Sequence, residues 1–266
     1  MPSQFRMFGR LLAPKPRTIE RETLEVELDD GRTIALQRVR DPRSRRLKLS
    51  VDERGARLTM PTRCSIAAAD RFVAEHRLWL ATQLDRYGID GVPVLERDVT
   101  DQLPLRGAML PLQWQQGRFS RVEANGESLV FTLPARAGDL AIRRAARDFY
   151  EAQARADVGR WLPRYLPSLP RAPRRVTFKM MSSQWGSLAP DGSMALDLSL
   201  VLARPSAFEY VVVHELCHLI HADHSRAFWR EVEARCPYWR DEREYFHGEG
   251  RQLKATLRAL CGKAAA

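Results

Sequence analysis

The chain has 266 residues, of which 44% are hydrophobic and 29% are charged, and this composition predicts a folded globular protein rather than a disordered one. No apolar run reaches the roughly 20 residues that a membrane span needs, and the basic N-terminus, MPSQFRMFGRLLAPKPR, lacks the apolar core of a signal peptide. The sequence therefore predicts a cytoplasmic protein without a membrane partner.

The formal net charge of +10 favours acidic partners such as nucleic acid, nucleotides or anionic peptides. Because the arginines are scattered and no RNA- or DNA-binding fingerprint accompanies them, a diffuse basic surface is the simpler interpretation, with nucleic acid kept as an alternative partner. The four cysteines are widely spaced and include no CxxC pair, so they predict neither a disulfide framework nor a cysteine metal cluster.

The N-terminal half is predicted to be rich in β-structure. Residues 1–20 read as a flexible basic arm, and residues 21–135 as a β-rich region with one helix. Alternating apolar and polar residues predict short strands between residues 92 and 134 and, before them, in TLEVELDD, RTIALQRV, RLKLSVD and ARLTMP. The single helix is predicted over residues 66–87, with Ser65 as its N-cap.

The C-terminal half, residues 136–266, is predicted to be a second domain. Its elements are a long helix from Asp139 to Leu166, strands at VTFKMMS and MALDLSLVL, and a helix that begins near Ser206 and runs through HELCH. This order of elements predicts an α+β fold, with strands concentrated in the first half and helices in the second.

The segment HELCH, residues 214–218, has the pattern of a helical metal site. Residues four apart lie on one face of a helix, so His214 and His218 can reach the same cation. Glu215 lies beside that face, where its carboxylate can reach a water molecule on the metal without binding the metal itself. Neutral imidazoles suit Zn²⁺, which lowers the pKa of its water toward ~7, so Glu215 is predicted to be the general base of a zinc hydrolase.

Two histidines leave room for a third protein ligand. His221 shares the helical face but lies roughly 10.5 Å along the axis from His214, too far to share one ion. His224 completes the spacing HExxHxxxxxH of the metzincins, in which a glycine makes the turn, and His221 occupies that glycine position here.

His224 can return to the ion if the helix ends near Ala222. Ser225 resembles the N-cap of a following helix, which favours such a break. We therefore favour His224 as the third ligand, with His247 and Glu242 as the alternatives.

Beyond the histidines, further segments carry a family likeness: Trp185-Gly186-Ser187, then MALDLSLVLARPSAFEYVVVHELCHL, then His224-Ser225 with Phe228-Trp229. In these residues the chain resembles the YgjP-like metallopeptidase-domain proteins, relatives of the SprT-type zincins. A weaker likeness at RSRRLKLSVDERGARLTMP extends the similarity to about residues 22–250. The resemblance implies a zincin-like helical/β catalytic domain over 136–266, zinc bound by His214, His218 and His224, and Glu215 as the catalytic residue.

Three residues depart from the usual pattern of that family. Gln184 stands where an arginine is usual, Leu188 where a cysteine is frequent, and Asp197 where asparagine is common. We expect these positions at the edge of the cleft, where they affect the substrate rather than the metal.

The loop Trp185-Gly186-Ser187 is the candidate substrate-binding segment. Gly186 would let a substrate approach the backbone closely, and the alternative is that Trp185 only fills the core beneath the metal-binding helix. A group that stabilises the developing oxyanion is also expected, and the candidates are Tyr245, His247 and Arg226.

Three functions remain open on the sequence alone. The first is a zinc-dependent peptidase, the second is a nucleoside triphosphate phosphohydrolase that uses the same zinc site, and the third is a DNA-associated module with structural zinc. No phosphate-binding glycine loop accompanies the second. Glu215 argues against the third, because a carboxylate that does not bind the metal has no part in a purely structural zinc site.

Overall fold

The computed structural model describes residues 19–52, 55–87 and 95–262. They form two compact units, and the boundary between the units lies within a helix, between Ala81 and Thr82. In the described part of the chain no helix is long and apolar enough to cross a membrane. The predicted α+β class is confirmed, with most strands in the first half and most helices in the second. The predicted arm, residues 1–20, lies outside the described residues except for its last two.

The first unit contains a four-stranded sheet in the order β1-β2-β4-β3. Its strands are those predicted from the alternation: β1 (Glu20–Glu27), β2 (Thr33–Arg40), β3 (Lys48–Asp52) and β4 (Gly55–Met60). Alternate side chains of β2 and β4, among them Leu36, Leu58 and Met60, are buried, as expected for a sheet with one face toward a core.

The predicted single helix over residues 66–87 is two helices, α1 (Ile66–Glu75) and α2 (Arg77–Tyr87). Ser65 is the N-cap, because its side chain accepts a hydrogen bond from the Ala68 N–H at 3.2 Å. The break comes at His76, whose φ of −115° and ψ of 17° leave the helical region, so the prediction of one uninterrupted helix is wrong.

The second unit begins with a four-stranded sheet of order β5-β6-β8-β7, formed by β5 (Gln102–Leu105), β6 (Ala108–Gln116), β7 (Arg121–Asn125) and β8 (Ser128–Leu133). The long helix α3 (Asp139–Tyr165) follows. Side chains of these strands and of α3 share one buried core with the helix that carries the histidines. The strands before residue 136 therefore pack with the helices after it.

A three-stranded sheet of order β10-β11-β9 comes next, formed by β9 (Arg175–Lys179), β10 (Gly186–Leu188) and β11 (Ser193–Asp197). The predicted strand MALDLSLVL is only half correct. Asp197 accepts a hydrogen bond from the Ser199 N–H at 2.9 Å and so caps a 3-10 helix, Leu198–Leu202, instead of continuing the strand.

Helices α4 (Pro205–Cys217), α5 (Arg226–Arg235) and α6 (Trp239–Cys261) complete the unit. Three consecutive valines of α4, residues 211–213, are buried, and this burial stabilises a run of β-branched residues with poor intrinsic helix propensity. The helix ends at Cys217, earlier than the predicted end near Ala222, because the next backbone N–H groups form tight i to i−3 turns.

Candidate metal centre

The imidazoles of His214, His218 and His224 come together at one point. One ring nitrogen of each lies within 4.8 Å of the other two, and the Nε2 atoms of His214 and His224 are 3.1 Å apart. His214 and His218 lie at the C-terminal end of α4, four residues apart on one face, as the spacing predicts. His224 comes from the loop between α4 and α5.

The loop returns toward α4 without a left-handed residue. Among the described non-glycine residues, positive φ angles occur only at Asp98 and Arg106, so His221 is accommodated where the metzincin pattern has glycine. The Asp223 carboxylate accepts a hydrogen bond from the Ser225 N–H at 3.2 Å. Ser225 in turn caps α5 through a hydrogen bond from the Phe228 N–H to its hydroxyl at 3.4 Å, as predicted.

Aromatic rings hold the three imidazoles in place. Phe228 is fully buried, and its ring centroid lies 4.6 Å from that of His218, 4.9 Å from that of His214 and 4.8 Å from that of His224. Trp229 contacts His214 from the side, with ring centroids 5.7 Å apart. These two residues pack against the imidazoles and do not contribute donors to the cluster.

The ring of His218 is also oriented by the backbone. Its Nδ1 atom lies 3.1 Å from the carbonyl oxygen of His221 and donates its proton to that oxygen. The unprotonated Nε2 atom therefore has its lone pair available for a metal ion. Such a backbone partner behind a histidine is the usual arrangement in metal sites. His221 thus acts through its carbonyl oxygen, whereas its imidazole is outside the cluster.

The electrostatics of the site favour neutral imidazoles. Burial, followed by the charges of His218, His224 and Arg243, lowers the pKa of His214 to about 3. Burial is also the largest cause that lowers the pKa of His218. Three imidazole nitrogen donors in one small volume are a donor set that a divalent transition metal prefers, so these residues fit a metal ion.

Glu215 lies next to the cluster and is not a member of it. Its side chain is only 5% exposed, and in the described part of the chain its carboxylate has no ion-pair partner. Burial raises its pKa to about 7. A carboxylate with this pKa in a cleft can both accept and release a proton near neutral pH.

Gly186 packs directly against this carboxylate. A Cβ atom at position 186 would lie 2.6 Å from Oε1 of Glu215 and 2.7 Å from its Cγ. The glycine predicted to admit a substrate therefore admits the side chain of Glu215. The pairing of Gly186 with Leu196 in the β10–β11 ladder fixes this position.

The other two residues of the predicted substrate-binding loop have different surroundings. Trp185 packs on α6, with its ring centroid 4.4 Å from that of Phe246. This contact favours the alternative that Trp185 is a packing residue. Ser187 lies on β10 and lines the same cleft as the histidines. Trp185 also borders this cleft.

The cleft has a volume of about 880 Å³. Of the predicted oxyanion-stabilising candidates His247 lines it, whereas Tyr245 and Arg226 do not. Arg243 and Tyr210 line the cleft and were missed by the sequence analysis. Tyr210 had a usable signal, because it lies four residues before His214 on the same helical face.

The two alternative third ligands lie apart from the histidine cluster. Glu242 forms an ion pair with Arg204, with Nε and Oε2 2.9 Å apart, and is buried there. His247 is at the cleft but is not among the residues whose donor atoms converge. The geometry therefore favours His224 over both.

Two comparisons with known proteins find a similarity. The sequence profile of the YgjP-like metallopeptidase domain matches residues 45–248, more than three quarters of the chain. The crystal structure of the metallopeptidase zymogen of Pyrococcus abyssi abylysin is similar at 22% identity and a TM-score of 0.23, over 41% of this chain and 87% of that chain. No curated protein matches the chain. The extent of the profile match, which includes all three converging histidines and Glu215, shows that the chain belongs to the YgjP-like metallopeptidase-domain family.

Proposed function

We propose that this protein is a zinc-dependent peptidase, with zinc held by His214, His218 and His224 and with Glu215 as the general base. The observation that carries the proposal is the convergence of three imidazoles, with one ring nitrogen of each within 4.8 Å of the others, beside a buried carboxylate that is not one of the donors. A structural zinc site has four protein ligands, whereas a catalytic site keeps one position open. Three converging donors correspond to the second kind.

A zinc ion bound by these histidines would supply a Lewis acid and would make a water ligand more acidic. Glu215 would accept the proton of that water as the water attacks a peptide carbonyl, and would then pass it to the leaving amine. Its raised pKa, about 7, suits both steps. The confinement of its carboxylate by Gly186 favours one orientation of the base.

A peptide substrate is supported by the edge of the sheet beside the cleft. β10 is an outer strand of its sheet, and its three residues line the cleft. An outer strand presents backbone N–H and C=O groups with which an extended peptide can form main-chain hydrogen bonds. A nucleotide has no peptide backbone that could pair with this strand edge.

Arg243 is the group that we propose for stabilising negative charge on the attacked carbonyl. It lines the cleft, and it has no carboxylate partner in the described part of the chain. Its charge adds to the effect of burial in lowering the pKa of His214, and it opposes the burial that raises the pKa of Tyr210. Its guanidinium lies 5.7 Å from the ring centroid of Trp229. A fixed cation near a developing oxyanion typically contributes a large part of the rate enhancement.

The test is a screen of the zinc-loaded protein against labelled casein, quenched-fluorescent peptide libraries and nucleoside triphosphates, with Glu215→Gln as the matched control. We expect peptide cleavage that Glu215→Gln abolishes while this variant retains zinc. Phosphate release from nucleoside triphosphates that depends on Glu215, without any peptide cleavage, would replace the peptidase with a phosphohydrolase. Cleavage that survives Glu215→Gln would refute the assigned base.

A further inference from the structure

Lys254 is a buried cation on α6, outside the segment matched by the family profile, which ends at residue 248. Lys254 is only 7% exposed. The ammonium donates hydrogen bonds to the carbonyl oxygens of Met181 at 3.1 Å and Gln184 at 2.7 Å, and lies 3.5 Å from the Asp197 carboxylate. A buried ammonium requires such partners, because leaving it without them costs several kcal/mol.

Both of these carbonyl oxygens belong to residues 181–185, which lie between β9 and β10 and have no regular structure of their own. Asp197 binds the same segment, since its Oδ2 atom accepts a hydrogen bond from the Met181 N–H at 2.5 Å. The Asp197 N–H donates to the Trp185 carbonyl oxygen at 2.7 Å. Lys254 and Asp197 thus bind backbone groups at both ends of the segment, at Met181 and at Gln184 and Trp185.

The same face of α6 holds the indole of Trp185. The Lys254 ammonium lies 4.3 Å from the ring centroid, and Phe246 packs against the ring. Gly250, one turn before Lys254, provides the space, because a Cβ atom there would lie 2.6 Å from Cζ2 of Trp185. Positions 246, 250 and 254 are four residues apart and form one row along the helix.

Trp185 is followed directly by Gly186, whose backbone confines the Glu215 carboxylate. We propose that Lys254 is a positioning residue for Glu215, acting through Asp197 and the Met181–Trp185 segment. This inference rests on the proposed function, because it matters for turnover only if Glu215 is the base. The ammonium does not line the cleft, so its effect is indirect.

The test compares Lys254→Met with Lys179→Met, a matched control at an exposed lysine of β9. In the zinc-free full-length proteins, we expect amide hydrogen exchange in residues 181–188 to be at least tenfold faster in Lys254→Met than in the wild type, and unchanged in Lys179→Met. In the zinc-loaded proteins, we expect kcat on labelled casein to fall at least tenfold in Lys254→Met, with KM and zinc content within twofold of the wild type.

A purely structural role would lower the melting temperature without this split between kcat and KM. Should Lys254→Met fail to fold, Asp197→Ala provides the same readouts. Where both variants fold, the double variant should lose no more kcat than the worse single variant, because both act on one segment. Unchanged exchange in residues 181–188, or an unchanged kcat, overturns the inference. Failure of the proposed function would give a different result. The wild type would then cleave casein as fast as Glu215→Gln does.

Discussion

The Glu215 carboxylate and the backbone of Gly186 are in such close contact that a Cβ atom at position 186 would lie 2.6 Å from Glu215 Oε1. The backbone of strand β10 thus packs directly against the buried carboxylate. No side chain lies between them, because position 186 is a glycine. A methyl group at this position must displace either β10 or the side chain of Glu215, and both are part of the candidate active site.

Gly186→Ala is therefore expected to lower kcat at least tenfold and to destabilise the fold by about 1–3 kcal/mol, the usual cost of overpacking. The control is Gly159→Ala in α3, where a Cβ atom would meet nothing within 4 Å and where alanine is expected to stabilise the helix by about 0.5–1 kcal/mol. Steady-state kinetics and denaturant unfolding measure both effects. Wild-type kcat in Gly186→Ala would show that the contact does not restrain the base.

Replacement of any converging histidine by alanine is expected to weaken zinc binding at least a hundredfold, because two imidazoles cannot complete the site. His221→Ala should retain zinc, since His221 orients His218 through its backbone carbonyl oxygen rather than its ring. His247→Ala should also retain zinc, because its side chain lies at the cleft outside the cluster. Metal analysis after competition with a chelator measures these affinities. Near-stoichiometric zinc in His224→Ala would remove His224 from the ligand set.

The parts of the site that follow from local spacing could be predicted from the sequence. The interval between His214 and His218 places both on one helical face, and the Ser225 cap marks the start of α5, so the break that brings His224 back was predictable. The MALDLSLVL segment shows the limit of this reasoning. Its apolar residues favour a strand throughout, but Asp197 caps a 3-10 helix by binding backbone N–H groups that a strand would use otherwise.

The residues that the sequence analysis missed reach the site through tertiary contacts. Arg243 and Lys254 belong to α6, whose pattern alone does not show which elements it packs against. The contact of Gly186 with Glu215 joins a strand and a helix that are far apart in sequence. The shared core of β5–β8 and α3 likewise depends on packing and not on local pattern.

The stability of the metal-free protein should depend on pH through Glu215. Its folded-state pKa of about 7 exceeds the ordinary value of 4.5, so the folded state binds the proton more tightly than the unfolded state does. The stability due to this proton is present below pH 4.5 and is lost as the pH rises through 7. Between pH 5 and pH 8 the free energy of unfolding of the metal-free wild type should therefore fall by up to about 3 kcal/mol relative to that of Glu215→Gln. This figure follows from ~1.4 kcal/mol per unit of pKa difference.

Denaturant unfolding of both proteins with a chelator present, at pH 5 and at pH 8, measures this difference. The buried His214 titrates in the opposite direction, since its folded-state pKa is lowered, but it is present in both proteins and cancels in the comparison. Parallel pH profiles for the two proteins would mean that Glu215 is solvated in the folded state and does not have the raised pKa.

Arg243→Ala is expected to lower kcat on an uncharged peptide by about a hundredfold, the usual effect of removing one group that stabilises an oxyanion, while KM changes little. Because the Arg243 residue is solvent-exposed, the loss should be partly reversed by added guanidinium ion, which can occupy the vacated position. The matched control is Arg240→Ala. Arg240 lies one turn earlier on α6, stacks on Trp239 and pairs with Glu233, and it does not line the cleft. A rise in KM without a fall in kcat would instead make Arg243 a substrate-binding residue, because binding that is equal in the ground state and the transition state leaves kcat unchanged.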